Sequence, residues 1–241
     1  MIFLSENLIE LGKKNAAIKA VEENIKKNMI VGIGSGSNIV YAVERLGVLN
    51  KEKNLNLKCI PSSFQSYQLI IQNNLDLVSL EQYPEIDVDI DGADEIDKDL
   101  NLIKGGGGCL VQEKIIASNS EKLIIIADFR KKSEKLGQNW KNGVPIEVIP
   151  MAYFPIMKKL KKLGGIPKLR MAQSKSGPLI TDNGNFIIDV HFGEINNPSE
   201  LNEKILNIPG IVDTGLFIQM ACKAYIGTHD GKVLILDINK K

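Results

Sequence analysis

The chain is poor in the residues that build metal sites, disulfide frameworks and imidazole chemistry. Its 241 residues include 3 cysteines and 2 histidines. Cys59, Cys109 and Cys222 are scattered, with no C-x-x-C pair and no Cys/His cluster. An odd, dispersed set of thiols excludes a disulfide framework and a structural zinc site. His191 and His229 lie far along the chain from Cys109, so that thiol reads as a small packing residue and not a nucleophile. An excess of one charge is also missing: 30 Lys and Arg face 29 Asp and Glu, a net charge of +1. That excludes a general surface for nucleic acid or anionic membrane, and leaves any anion to be recognised by local groups. Apolar runs stay short of the ~18 residues of a membrane span. The opening Met1-Ile2-Phe3-Leu4 is soon followed by Glu6 and a Lys-rich stretch, which gives no targeting signal. Reduced thiols and these absences make the cytoplasm the expected location.

What the chain does have is an ordinary globular composition, 44% hydrophobic and 24% charged. Its length suits one large α/β domain with a smaller one inserted. Ala17, Val21 and Ile25 recur at helical spacing and predict a helix over 7–28. The apolar run 29–33 stops at Gly34 and reads as a buried strand, after which 38–46 returns to helical spacing. Further strands are expected at 57–61, 87–90 and 123–127, with helices at 63–74 and 110–118. Such alternation implies a mostly parallel sheet with right-handed crossovers.

The rhythm changes near Gly137. A strand (145–149), a helix (152–163) and a strand near Leu169 are followed by a hairpin, where Asn183-Gly184 suits a type I′ turn. Asn197-Pro198 then opens a helix, Asn as N-cap and Pro at N1. Strand, helix, strand, strand, helix, strand is the ferredoxin-like order. The expected organisation is an α/β core over 1–137 and 213–241, with an α+β domain inserted at 138–212. Strand patterns at 216–219 and 232–236 are expected to rejoin the core.

Four segments carry chemistry. In Gly32-Ile33-Gly34-Ser35-Gly36-Ser37-Asn38, a glycine-rich turn between strand and helix lets backbone N–H groups converge on an anion. No third glycine completes the dinucleotide spacing, and the hydroxyls suit a terminal phosphate; the plain alternative is a tight βα turn. In Asp87-Val88-Asp89-Ile90-Asp91-Gly92-Ala93-Asp94-Glu95, five acids fall within nine residues. Period-two alternation puts Asp87, Asp89 and Asp91 on one side of a strand. Asp91 and Asp94 are candidates to accept sugar hydroxyls at a carboxyl strand end, with a Mg²⁺ site or a solvated acidic loop as alternatives.

The third segment, Lys104-Gly105-Gly106-Gly107-Gly108, costs chain entropy to order, which close approach of backbone to a ligand would offset. Glu113 follows about one helical turn into the next helix. A Lys and a Glu around such a turn suit charge stabilisation and proton transfer, while a helix-dipole role is the plainer reading of Glu113 alone. The fourth is Asp128-Phe129-Arg130-Lys131-Lys132, where Lys131 is a candidate to neutralise a phosphate or an oxyanion.

In order and spacing these segments, with Pro145-Ile-Glu-Val-Ile-Pro150 and Thr181-Asp-Asn-Gly-Asn185, resemble ribose-5-phosphate isomerases of the A type along nearly the whole chain. The resemblance implies a Rossmann-like open parallel sheet with a ferredoxin-like lid, and homodimers or homotetramers. It implies a sugar-phosphate substrate, no cofactor and no metal. By motif it gives Glu113 the role of general base and places Asp91, Asp94 and Lys104 in the catalytic set. Ser35, Gly36, Ser37 and Asn38 would hold substrate, as would Gly92 and Ala93, the turn Gly105, Gly106 and Gly107, and Lys131. Three positions depart from the usual pattern: Asn38 where Thr is common, Arg130 where Ser is common, and Cys109 where Ala is common. A sugar-phosphate-sensing regulator domain, a coenzyme A transferase, and a sugar-phosphate deaminase or lactonase of related architecture are the competing readings. The first lacks a helix-turn-helix or basic recognition stripe; the second shares only a Glu after a glycine-rich turn.

Overall fold

The computed structural model describes residues 2–238. In chain order the first elements are α1 (Ile2–Asn24), β1 (Ile30–Ile33), α2 (Ser37–Lys53), β2 (Lys58–Pro61), α3 (Phe64–Gln72), β3 (Asp76–Leu77) and β4 (Val88–Gly92). Two short strands, β5 (Glu95–Ile96) and β6 (Leu102–Ile103), precede α4 (Leu110–Ser118) and β7 (Leu123–Asp128). Then come β8 (Val144–Val148), α5 (Tyr153–Lys162), β9 (Ile166–Leu169), β10 (Phe186–His191), α6 (Pro198–Leu206) and β11 (Ile211–Thr214). The chain closes with β12 (Leu216–Phe217), β13 (Ala221–Gly227) and β14 (Val233–Asp237).

These elements form two compact units. The first comprises 1–93, 112–130 and 220–241; the second comprises 94–111 and 131–219. The first unit is a seven-stranded sheet in the order β14-β13-β7-β4-β1-β2-β3. All neighbours pair in parallel except β13 with β14. Strand order grows one way from β1 through β2 to β3, and the other way from β4 through β7 to β13. The switch point therefore lies between β1 and β4, beyond whose carboxyl ends open α/β sheets bind ligands. Alternation sorts the faces. Val31, Ile33, Val88, Ile90, Ile124 and Ile126 pack with Ala17 and Val21 of α1 and with Ile39 and Val43 of α2. The opposite face carries Ile116 of α4, which packs against Ile60 and Ile86.

The second unit holds a four-stranded antiparallel sheet, β11-β8-β10-β9, which is the ferredoxin-like arrangement. Ile156 and Leu160 of α5 and Ile205 of α6 bury against Ile146, Val148, Ile188 and Val190 on one face of it. A small antiparallel sheet, β12-β6-β5, completes the unit.

The expected α/β class is present, and the helix over 110–118 falls where periodicity put it. Three details differ. β12 pairs with β6, not with the parallel sheet. β13, the strand beside β7, was not expected from the sequence. The turn near Gly184 is not type I′: Gly184 has φ 79°, but Asn183 is absent from the positive-φ residues, and type I′ needs both.

Candidate active site

In the first unit the site is built at the switch point. Gly34 N–H donates to the Ile90 carbonyl at 2.9 Å, which continues the β1–β4 pairing one residue past the strand. This brings the backbone of Gly34 against Asp91. A Cβ at position 34 would sit 1.9 Å from Asp91 Oδ1, so only glycine admits the carboxylate there. Asp91 is fully buried. Its Oδ1 accepts the N–H of Ser35 at 3.0 Å and that of Gly92 at 2.7 Å. The glycine loop thus fixes an acid at a strand end, while Gly36 and Ser37 remain exposed at the start of α2. Asn38 is turned inward: its Nδ2 donates to the Ile126 carbonyl at 3.0 Å and ties the start of α2 to β7.

Glu113 lies in the first turn of α4 and is 5% exposed. Three residues on, Ile116 presses on β1: a Cβ at Gly32 would meet Ile116 Cγ2 at 2.5 Å. Residues three apart share a helix side, so Glu113 and Ile116 face the same way. α4 returns the chain from the carboxyl end of β4 to the start of parallel β7, so its first turn belongs at the carboxyl ends of the strands. Asp89 and Asp91 alternate with core residues Val88 and Ile90 and so occupy the face that α4 covers. A buried glutamate and a buried aspartate thus share one face of the sheet at its ligand-binding end.

In the second unit the polyglycine turn is held by an acid. Asp94 Oδ2 accepts the Gly106 N–H at 2.7 Å, and a Cβ at position 106 would meet Asp94 Oδ1 at 2.7 Å. Burial pushes the Asp94 carboxyl above the usual carboxylate range; the Gly106 N–H and the cations of Lys104, Lys131 and Arg170 pull it down without cancelling the shift. Lys104 is 3% exposed, with its ammonium 5.3 Å from the Phe217 ring centroid. The Lys131 ammonium lies 5.1 Å from the Trp140 ring centroid. Arg130 is tied to Asp128, through Nε at 2.7 Å and Nη2 at 3.0 Å. Burial raises the Asp128 carboxyl, but the Arg130 contacts outweigh it and hold the group below its usual range.

The acidic cluster does not converge on one ion. Asp87 accepts the Ile30 N–H at 2.6 Å. Glu95, fully buried, accepts the N–H groups of Gly137 and Asn139, each at 2.6 Å. Among the described residues no group of three or more His, Cys, Asp or Glu is arranged to hold a metal ion. Sequence reasoning missed Arg170 of the second unit, which bonds both the polyglycine turn and Asp189. Its partners lie 19 and about 65 positions away along the chain, so no local pattern marks it.

An open parallel sheet with acids at its switch point, together with a ferredoxin-like unit that carries a polyglycine turn, defines a two-unit α/β class. The family profile of ribose 5-phosphate isomerase A (phosphoriboisomerase A) matches residues 58–231. The ribose-5-phosphate isomerase of Sus scrofa is 57% identical over 225 residues, 93% of this chain and 74% of that protein. That of Dictyostelium discoideum is 54% identical, covering 94% of this chain and 97% of that one. Among solved structures, ribose 5-phosphate isomerase A from Methanocaldococcus jannaschii superposes with a TM-score of 0.89 at 40% identity, over 95% of this chain and 99% of that one. A D-ribose-5-phosphate isomerase in complex with phospho-erythronic acid gives 0.90 at 40% identity, with coverage of 95% and 99%. The chain belongs to the ribose 5-phosphate isomerase A family, a family of isomerases.

Proposed function

We propose that the protein interconverts D-ribose 5-phosphate and D-ribulose 5-phosphate through an enediolate, with Glu113 as the general base. The observation that carries this is the burial of Glu113 and Asp91 on one face of the parallel sheet at its switch point. Family membership supplies the substrate class, and the phospho-erythronic acid held by a relative supports a phosphorylated sugar as ligand.

The Glu113 carboxylate removes the proton from C2 of the open-chain aldose, and the electron pair moves into the C1–C2 bond. O1 takes up a proton as negative charge develops along the enediolate. The same carboxyl returns its proton to C1, and O2 loses a proton to become the ketose carbonyl. Asp91 carries protons between O1 and O2. Asp94 holds a hydroxyl or assists ring opening, and Lys104 with the N–H groups of Gly105 to Gly107 offsets the oxyanion. The loop of half-buried Ser35 and exposed Gly36 and Ser37, with the backbone of Asn38 and Gly92-Ala93, holds the substrate, and Lys131 adds positive charge. Phosphate binding far from the reacting carbons orients them. No cofactor or metal enters this scheme. The reaction belongs to the non-oxidative pentose phosphate pathway of the cytoplasm, and the active form is a homodimer or homotetramer.

The test is ketose formation from ribose 5-phosphate, with and without chelator. Glu113→Gln is expected to reduce kcat by about 10³-fold or more, in line with loss of a general base and its proton path, while phospho-erythronic acid still binds. An unchanged kcat in that variant removes Glu113 from the role, and absence of ketose with the unaltered protein refutes the reading as a whole.

A further inference from the structure

Arg170, just past β9, reaches the polyglycine turn from the ferredoxin-like sheet. Its Nη1 donates to the Gly105 carbonyl at 2.9 Å and to the Gly106 carbonyl at 3.1 Å. Its Nε donates to Asp189 Oδ2 at 2.8 Å, and its Nη2 bonds Asp189 Oδ1. Asp189 stands on β10, and the side chains of the pair are 13% and 17% exposed. A two-pronged contact fixes the guanidinium plane, because the fork of donors matches the two carboxylate oxygens.

Peptide units are planar and trans, so C=O and N–H of one unit point in opposite directions. The Gly105 carbonyl and the Gly106 N–H belong to one unit. Arg170 holds its oxygen end, and Asp94 accepts at its nitrogen end at 2.7 Å. The Gly106 carbonyl and the Gly107 N–H belong to the next unit. Arg170 holds that oxygen also, so the Gly107 N–H is turned to the opposite side. A Cβ at Gly107 would meet nothing within 4 Å, so space is open beside it. Four glycines in a row have no side chains to set these two planes. Arg170 sets them from outside the turn.

We infer that Arg170, oriented by Asp189, is a positioning residue for the isomerisation: it locks the Gly105–Gly106 and Gly106–Gly107 peptide planes so that Asp94 and the Gly107 N–H are presented to the sugar. This rests on the proposed function, because it assigns the turn a part in that chemistry. Preorganised donors matter most where charge develops in the transition state. Loss of the clamp therefore acts on kcat more than on KM.

Arg170→Gln is expected to lower kcat by about 10- to 100-fold, the scale of a modest misplacement of reacting groups, with KM for ribose 5-phosphate unchanged. Asp94 faces Lys104, Lys131 and Arg170 as its cations. Removing one raises its carboxyl further, so the acid limb of kcat/KM moves to higher pH, which a purely structural role would not do. Arg170→Lys, which lacks the planar fork, should recover only part of the rate. Asp189→Asn should give a smaller loss of the same kind, and it carries the test if Arg170→Gln fails to fold. Hydrogen exchange of the peptide containing Gly105 to Gly108 gives a readout independent of activity and is expected to quicken in Arg170→Gln. Unchanged exchange overturns the clamp. Faster exchange with unchanged kcat, or a pure KM effect, overturns its part in the reaction. If the unaltered protein forms no ketose, the proposed function fails while exchange still judges the clamp.

Discussion

Asp91 shows how one residue is held by the absence of a side chain on another. Gly34 leaves room for its carboxylate, and the N–H groups of Ser35 and Gly92 bond it. Gly34→Ala forces Asp91 or the β1 end to move. The expected cost is about 1–3 kcal/mol of stability, as for overpacking a closed site, with a larger loss of kcat than of binding. Urea unfolding and steady-state kinetics check both. The same scale shows what was legible in the sequence. Period-two alternation correctly put Asp89 and Asp91 opposite the core residues Val88 and Ile90. What it does not encode is how five acids in nine residues avoid repelling one another. For three of them the answer lies in backbone amides elsewhere in the chain: Ile30 for Asp87, Gly106 for Asp94, Gly137 and Asn139 for Glu95.

At the scale of elements, Thr181-Asp-Asn-Gly-Asn185 serves the ferredoxin-like sheet. Glu147, on β8 and fully buried, accepts at Oε1 from Thr181 Oγ1, Asn183 Nδ2 and Asn185 Nδ2, each at 2.9 Å. The motif secures the segment between β9 and β10 onto β8. Glu147→Ala removes the shared acceptor and is expected to cost about 3 kcal/mol, the scale of losing hydrogen bonds to a charged group. Thermal unfolding should show it, while KM of the remaining folded protein is unaltered. The Asn-Gly pair announces a turn from sequence, but not its type. Strands β5 and β6 have two residues each, too short for a periodicity to expose them, while β12 falls in the expected strand pattern at 216–219 but pairs with β6, a partner no local pattern reveals. β13 escapes for another reason: Ala221-Cys-Lys-Ala-Tyr-Ile-Gly227 offers neither a clean apolar run nor alternation.

For the whole molecule, neither unit is one continuous stretch. The chain passes between them at 93/94, 111/112, 130/131 and 219/220. Sequence rhythm changes near Gly137, ahead of the first ferredoxin-like strand at Val144, but a composition pattern has no means of assigning 94–111, whose partners include 215–217 and 137–139. The first unit depends on its last segment, because β13 pairs along β7 from Ala221 to Gly227 and buries Tyr225 in the core. A chain ended after Gln219 is expected to lose the parallel sheet altogether. Soluble yield and far-ultraviolet circular dichroism would show aggregation in place of a folded product, and a soluble, native-like truncation would contradict this.

That arrangement also sets an order of events during synthesis. The ribosome releases the chain from its N-terminus, and domains fold as their last strand emerges. All four strands of the ferredoxin-like sheet are synthesised before β13, since they end at Thr214. The larger sheet must wait, with β7 an open edge, until β13 has been made. An unpaired edge of this kind is a template for pairing with other chains. The codons for β13, distant along the chain from the residues of the proposed chemistry, are thus the ones on which the nascent protein's need for chaperones most depends.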